Sequence, residues 1–343
     1  MLRIRPLEPW TDPRGGQIER LLIDNGTIAI EVLSLGGIIR SLWAPDRDGE
    51  RANLVLGCDS AEDYLSQDAY LGAIAGRYAN RIANGRFTDG QTQYQLDVNQ
   101  ATNCLHGGSE GFHRKNWQLG PLPDGVRLSL KSLDGDMGFP GNCNVQLDYR
   151  LVGNNLYIEI LASSDKPCPI SLTQHSYFNL DSSKTSLNHQ LQIDAKQYLS
   201  IDESGIPKAV CQTKGSGLDL SIPTELQSMI GREELTATSG IDHCFLMPNT
   251  ESKLQRFGRL STPISGRSMT LYTNQPGVQV YGGNGLAGVI GKSQQKLAQY
   301  QGICIEPQQL PDAPNQPHIA GDSLIHPGEV YHHISRYQFE ADA

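Results

Sequence analysis

The stretch Val145-Gln146-Leu147-Asp148-Tyr149-Arg150-Leu151-Val152-Gly153-Asn154-Asn155-Leu156-Tyr157-Ile158-Glu159-Ile160 alternates apolar with polar residues on both sides of a Gly-Asn-Asn turn. In an extended chain successive side chains point to opposite faces, so each arm has one apolar face. The residues between the arms tolerate positive φ, which closes an antiparallel hairpin. The same period of two recurs at residues 27–33, resumes at 38–42 after Gly36-Gly37, and returns at 126–130 and 277–281. Helical candidates are short: residues 61–66, and 293–301 centred on Leu297. With Gly 36 and Pro 19 in 343 residues, and only 19% charged, the composition suits many short strands and tight turns better than a helical bundle. No charge block, low-complexity linker or fixed-period repeat divides the chain. The expectation is an all-β fold, one domain over residues 1–343, built as a large antiparallel β-sandwich with few short helices.

A net charge of -9 argues against nucleic acid or an anionic membrane as the main partner and fits a neutral small molecule. The seven cysteines (Cys58, Cys104, Cys143, Cys168, Cys211, Cys244 and Cys304) are scattered, without a C-x-x-C pair. That pattern suggests reduced thiols in a cytoplasmic protein rather than a disulfide framework or a zinc site. Cys244 and Cys304 lie beside acidic residues, a poor setting for a thiolate. Residues 1–6 lack the apolar core of a signal peptide, and no apolar run reaches transmembrane length. A soluble cytoplasmic enzyme is expected; nothing in the sequence speaks to its oligomeric state.

Chemistry concentrates in a few segments. Leu172-Thr173-Gln174-His175-Ser176-Tyr177-Phe178-Asn179-Leu180 reads as one strand, with His175 on a polar face beside Thr173, Tyr177 and Asn179, and Leu172 and Phe178 opposite. Imidazole is the side chain whose ordinary pKa best suits proton transfer near neutrality. In Ile303-Cys304-Ile305-Glu306-Pro307-Gln308, the isoleucines share one face while Cys304, Glu306 and Gln308 share the other; Pro307 removes a ladder donor and marks a strand end or edge. A carboxylate held there is placed to act as a base. Residues 72–87 carry Arg77, Arg81 and Arg86 with Asn80 and Asn84, a hydrogen-bonding wall for a polyhydroxyl ligand or a basic surface loop. His106 precedes Gly107-Gly108, with Phe112 and Trp117 nearby as stacking surfaces or core. Alternation separates Asp242 from His243, which reads as a structural histidine, and puts Gln279 and Tyr281 on one face.

Taken together and in this order, the runs from Gly76-Arg77 to Phe87, Leu105-His106-Gly107-Gly108 to Trp117, Leu172 to Leu180, Asp242-His243, Pro276 to Asn284, Glu306 to Pro317, and Pro327-Gly328-Glu329-Val330-Tyr331 closely resemble the aldose 1-epimerase (galactose mutarotase) family over nearly the whole chain. The resemblance implies a β-supersandwich and interconversion of the α and β anomers of free hexoses without metal or cofactor. It implies Glu306 as the base at the C1 hydroxyl and His175 as the acid at the ring oxygen, with His106 assisting. Asn80, Arg81, Asp242 and Gln279 would bind sugar hydroxyls, and Trp117 or Tyr177 would cover the ring's apolar side. Gln174 stands where the family often has asparagine, and residues 205–209 and 217–220 depart from its usual runs, in loops expected to lie away from the acid and base.

Three rivals remain at this point. A hexose-6-phosphate epimerase would need added cations near C6, with Arg77 and Arg86 as candidates. A glycoside hydrolase would pair Glu306 with Asp242 or Asp312 and leave His175 without a task. A sugar-binding protein on the same scaffold would not turn over.

Overall fold

The alternation at residues 145–160 builds the hairpin it implies. Strands Cys143–Val152 and Asn155–Ser164 pair antiparallel with Val152 opposite Asn155, so the turn is the two residues Gly153-Asn154. Gly153 supplies the left-handed φ of 58° that such a turn requires. Leu147, Tyr149, Leu156, Ile158 and Ile160 are all buried.

The computed structural model describes residues 2–248 and 253–342. The hairpin lies within a nine-stranded antiparallel sheet that also holds the C-terminal strand Tyr331–Ala341. A six-stranded antiparallel sheet runs in the order Tyr177–Phe178, Ile303–Gln308, Gly277–Tyr281, Asp242–Leu246, Gln197–Ile201, Pro207–Gln212. A third, of five strands in sequence order, is made by residues 3–53. Leu147 and Ile160 from the first sheet, and Val278, Val280, Ile303 and Ile305 from the second, belong to one continuous apolar cluster. Tyr337 spans the layers: its ring stacks at 5.8 Å on Phe178 and its hydroxyl donates to the Ile305 carbonyl at 3.2 Å. The fold is therefore the expected all-β sandwich, with the inner faces of its sheets burying a shared core.

Among the described residues the α-helices are two short ones, Ala61–Leu65 and Pro317–Ala320, and no helix is long and apolar enough to cross a membrane. The first matches the expected 61–66; the Ser60 hydroxyl caps it by accepting from the Asp63 N–H at 3.1 Å. The second expected helix, 293–301, does not form. A single 3-10 turn, Lys292–Gln294, closes a tight loop in which Ile290 bridges Lys296, because Ser293 and Gln294 take left-handed φ of 57° and 55°. Long-range ties override local helical preference: Asp59 accepts the Ser293 N–H at 2.5 Å, and the Lys292 ammonium donates to Ser41 at 2.7 Å. Leu297 is buried, but in this loop.

Three stacking and wall candidates, Trp117, Phe112 and Arg77, prove structural. Trp117 and Phe112 meet edge-on at 5.9 Å inside the core. Arg77 is 1% exposed and donates to the carbonyls of Pro140 at 2.9 Å, Gly141 at 3.0 Å and Leu133 at 3.1 Å, and to Ser132 Oγ at 2.6 Å. One guanidinium thus pins two loops, 132–133 and 140–141, to the sandwich. Arg77→Leu, which strands those acceptors in the interior, is expected to cost about 3 kcal/mol or more of stability. Urea unfolding followed by fluorescence checks this; an unchanged midpoint contradicts it.

Candidate active site

The six-stranded sheet carries the site in two rows of cross-strand neighbours. Antiparallel register sets Asp242 opposite Tyr281, Tyr281 opposite Cys304, and Cys304 opposite Tyr177. The next row sets Cys244 opposite Gln279 and Gln279 opposite Glu306. Extending the Tyr177–Cys304 register by two residues brings His175 across from Glu306, and the two side chains meet there: His175 Nε2 lies 3.6 Å from Glu306 Oε2.

His175 reaches this position because residues 172–180 do not form one strand. Thr173–Gln174 pairs with Ile74–Ala75, whereas Tyr177–Phe178 pairs with Ile303–Cys304. The chain changes partner at His175-Ser176, so the imidazole sits at the seam between two ladders. Strict alternation from this histidine therefore fails in part. Tyr177 does share its pocket, but Thr173 is fully buried outside it, and Asn179 is committed to the carbonyls of Ser183 and Gln301. Pro307 sits beyond the two-residue contact with Tyr177–Phe178, where its missing N–H costs no ladder bond on that side.

The remaining wall comes from residues 80–106. Strand Arg81–Ile82 pairs with Cys104–Leu105, which brings Asn80 and His106 side by side. Both take left-handed φ, 66° and 51°, a conformation held by reciprocal bonds. The Asn80 N–H donates to His106 Nδ1 at 3.1 Å, and the His106 N–H donates to the Asn80 carbonyl at 3.0 Å. With Nδ1 accepting, neutral His106 carries its proton on Nε2. Asn80 Oδ1 accepts the Arg81 N–H at 2.9 Å, so its amide NH2 is the group left to bind a ligand. Gln279 donates to Asp242 Oδ1 at 2.6 Å, and Arg81 Nη2 stands 4.0 Å from Asp242 Oδ2. These residues enclose a cavity of about 300 Å³ into which His175, Glu306, Asn80, Arg81, His106, Asp242 and Gln279 all project.

Burial governs the electrostatics. It pushes the Glu306 carboxyl well above the ordinary carboxylate range, aided by nearby Asp242, and Glu306 Oε2 has no hydrogen-bond partner. It lowers His175 to about 4, and lowers His106, where the neighbouring His175, Arg81 and His113 act in the same sense. The pair thus favours its uncharged form. Ligating atoms of His106, His175 and Glu306 lie within 4.8 Å of one another, a spacing that would admit a metal ion.

Several residues join the site that the motifs did not single out. Tyr70, itself at φ 55°, packs its ring 4.6 Å from His106, 4.5 Å from His113 and 5.7 Å from His175. Gln100 accepts from Arg81 Nε at 2.8 Å. Tyr70 and Gln100 carry no local signal; Tyr281 and Cys304 do, since alternation puts them on the faces of Gln279 and Glu306. Gly205, in one of the divergent loops, lies against Arg81: a Cβ there would come within 2.7 Å of the guanidinium, so this glycine permits the close approach. Arg86 points instead to Gln95. Asp312 is buried among Ala83, Asn315 and Gln316 and does not line the cavity. His243, as expected, is structural, its Nδ1 accepting the Asp242 N–H at 3.3 Å.

The aldose 1-epimerase family pattern matches residues 19–338. The chain belongs to the aldose 1-epimerase family. Among its relatives, galactose mutarotase of Mus musculus is 38% identical over 330 residues, 95% of each chain. Aldose 1-epimerase of Escherichia coli strain K12 is 38% identical over 336 residues, 95% of this chain and 97% of that one. Of solved structures, the GalM/aldose epimerase homologue from C. elegans superposes with a TM-score of 0.86 at 28% identity, covering 93% and 97% of the two chains. Galactose 1-epimerase from Lactobacillus acidophilus gives 0.85 at 26%, covering 100% and 99%. These epimerases share the antiparallel sandwich described above.

Burial makes this epimerase's stability depend on pH. His106, His113, His175, His189, His243 and His333 are all lowered, chiefly by burial. Glu306 and Asp312 are raised by burial, and exposed His326 is raised by Asp322. Between pH 5 and about 6.5, six imidazoles gain protons on unfolding against three groups that hold theirs more tightly when folded. The unfolded chain binds more protons there, so stability rises with pH across this window. The melting temperature is expected to fall as pH drops from 7 to 5; a flat or rising profile contradicts the assignment.

Proposed function

We propose that this protein interconverts the α and β anomers of free hexoses such as galactose and glucose, with Glu306 as general base and His175 as general acid. The observation that carries the reading is the approach of His175 Nε2 to Glu306 Oε2 within a cavity walled by hydrogen-bonding groups. Glu306 takes the proton of the C1 hydroxyl, the C1–O5 bond breaks as the carbonyl forms, and His175 Nε2–H protonates O5. Rotation about C1–C2 turns the other carbonyl face to the O5 hydroxyl. Closure then returns one proton from Glu306 and the other to His175. Each proton transfer contributes roughly 10²–10⁴-fold. Neutral His106, with its proton on Nε2, offers a donor near the ring oxygen. Asn80, Arg81, Asp242 and Gln279 bind hydroxyls and hold C1 and O5 in register, and Tyr177 flanks the ring.

The charged pair that starts the cycle and the neutral pair that accompanies the open-chain aldehyde carry the same single proton. A dry cavity favours the neutral pair, so ring opening relieves charge separation as it proceeds. Activity then has an acid limb, where the pair takes up a second proton, and an alkaline limb, where it loses the only one. Both limbs belong to the pair and not to either residue.

Support for a free sugar over a phosphorylated one comes from charge. Arg81 is the cationic residue lining the cavity, it already faces Asp242, and Arg77 and Arg86 are engaged elsewhere. Asp312 lies outside the cavity and Asp242 is engaged by Gln279 and faced by Arg81, which weakens the hydrolase reading, and a binding-only protein would have no use for an acid facing a base. A cytoplasmic setting is part of the proposal, in keeping with seven unpaired cysteines.

Freshly dissolved α-D-galactose, α-D-glucose and glucose 6-phosphate, compared by polarimetry, test the substrate class; a preference for the phosphate overturns it. Glu306→Gln is expected to retain sugar binding and lose at least about 10²-fold in kcat. His175→Asn is expected to do the same; if it raises KM alone, His175 is a ligand contact and not the acid.

A further inference from the structure

The far nitrogen of the proposed acid has an unusual neighbour. Cys304 Sγ lies 3.4 Å from His175 Nδ1, and both residues are buried. Register places Cys304 between Tyr177 and Tyr281 in its row. The cysteine is thus the member of the Cys304–Glu306 face that backs the imidazole, while Glu306 fronts it. We propose that Cys304 is a positioning residue for the acid: its sulfur accepts the His175 Nδ1–H, aims Nε2 at the sugar ring oxygen, and, being a weak acceptor, leaves the Nε2 proton labile.

This rests on the acid–base reading above and deepens it. During the cycle Nε2 gains and loses its proton while Nδ1 keeps its own, so Nδ1 needs a permanent acceptor. A neutral thiol sulfur is a poor one. Burial, Glu306 and Asp242 all push the Cys304 thiol up, which keeps it neutral. A carboxylate in its place would stabilise the imidazolium and blunt the acid. No other side chain facing His175 takes this role. Glu306 is at Nε2, the rings of Tyr70, His106, Tyr177 and Tyr281 pack around it, and His113 stands beyond Tyr70. The contact of His175 with its own backbone acts in the same sense as the sulfur, favouring the protonated ring.

The test is the pH profile of kcat for α-D-galactose anomerisation in Cys304→Ser and Cys304→Val. A hydroxyl accepts better than a thiol, so Cys304→Ser is expected to move both limbs to higher pH while keeping kcat within about threefold. Cys304→Val, with no acceptor, is expected to move both limbs to lower pH and to reduce kcat about tenfold with KM within about twofold. Added to His175→Asn, Cys304→Val should cost nothing more. Shifts in the same direction, no shift, or an equal loss in the His175→Asn background overturn the proposal. Should Cys304→Val fail to fold, the Cys304→Ser arm decides alone: limbs that stay in place overturn it. Glu306→Gln run alongside separates the two claims, because full turnover in that variant defeats the acid–base reading whatever Cys304 does.

Discussion

One constraint underlies the rest of this molecule: a carboxyl and an imidazole are held 3.6 Å apart while both are removed from water. At an effective dielectric of about 20, opposite unit charges at that distance attract by roughly 4–5 kcal/mol. Removing each ion from water costs several kcal/mol. Desolvation therefore outweighs attraction, as the opposed displacements of Glu306 and His175 indicate. Hydrogen-bond donors brought to the carboxylate act against that displacement. A pair that carries one proton in either arrangement suits a reaction whose two halves are mirror proton transfers.

Such balance requires rigid walls, and the fold builds them from distant parts of the chain. The 283–302 segment, which contributes Gly285, Leu286 and Val289 to the cavity, is tied down by Lys292 on Ser41, Asp59 on the Ser293 N–H, and Cys58 on the Ile290 carbonyl. Behind these, buried Glu31 joins Arg20 at 2.7 Å and Arg40 at 2.7 Å, and Arg40 continues to Asp59. The five-stranded sheet is thus clamped onto the loop that faces the sugar. On the opposite wall Asn80 and His106 hold each other in left-handed conformations that neither would adopt alone, a local cost offset by the surrounding sheet.

Beside the cavity a polar cleft of about 530 Å³ shares Arg81, Gln100, Asp242, Tyr281 and Gly285 with it and adds Asp202 and Glu203. Its carboxylates set a negative potential beside the cavity, a poor environment for an anionic ligand and an indifferent one for a neutral sugar.

Much of this was legible before any coordinates. Period-two alternation named the Cys143–Ser164 hairpin and the Gly277–Tyr281 and Ile303–Gln308 strands, because one buried face leaves a repeat that short segments preserve. The same alternation put Glu306 with Cys304, and Gln279 with Tyr281, on common faces. It misjudged residues 172–180 and 293–301, where the decisive bonds come from residues far off in the chain: Ile74–Ala75 and Ile303–Cys304 divide the first between two ladders, and Ser41 and Asp59 fold the second into a loop. Tyr70, Gln100 and Gly205 left no trace in any motif. Local pattern determined the strands and the kinds of side chain on offer; which of them meet in one cavity, and what burial does to their protons, only the packing of separate sheets could decide, because neither cross-sheet contact nor desolvation is a property of a segment by itself.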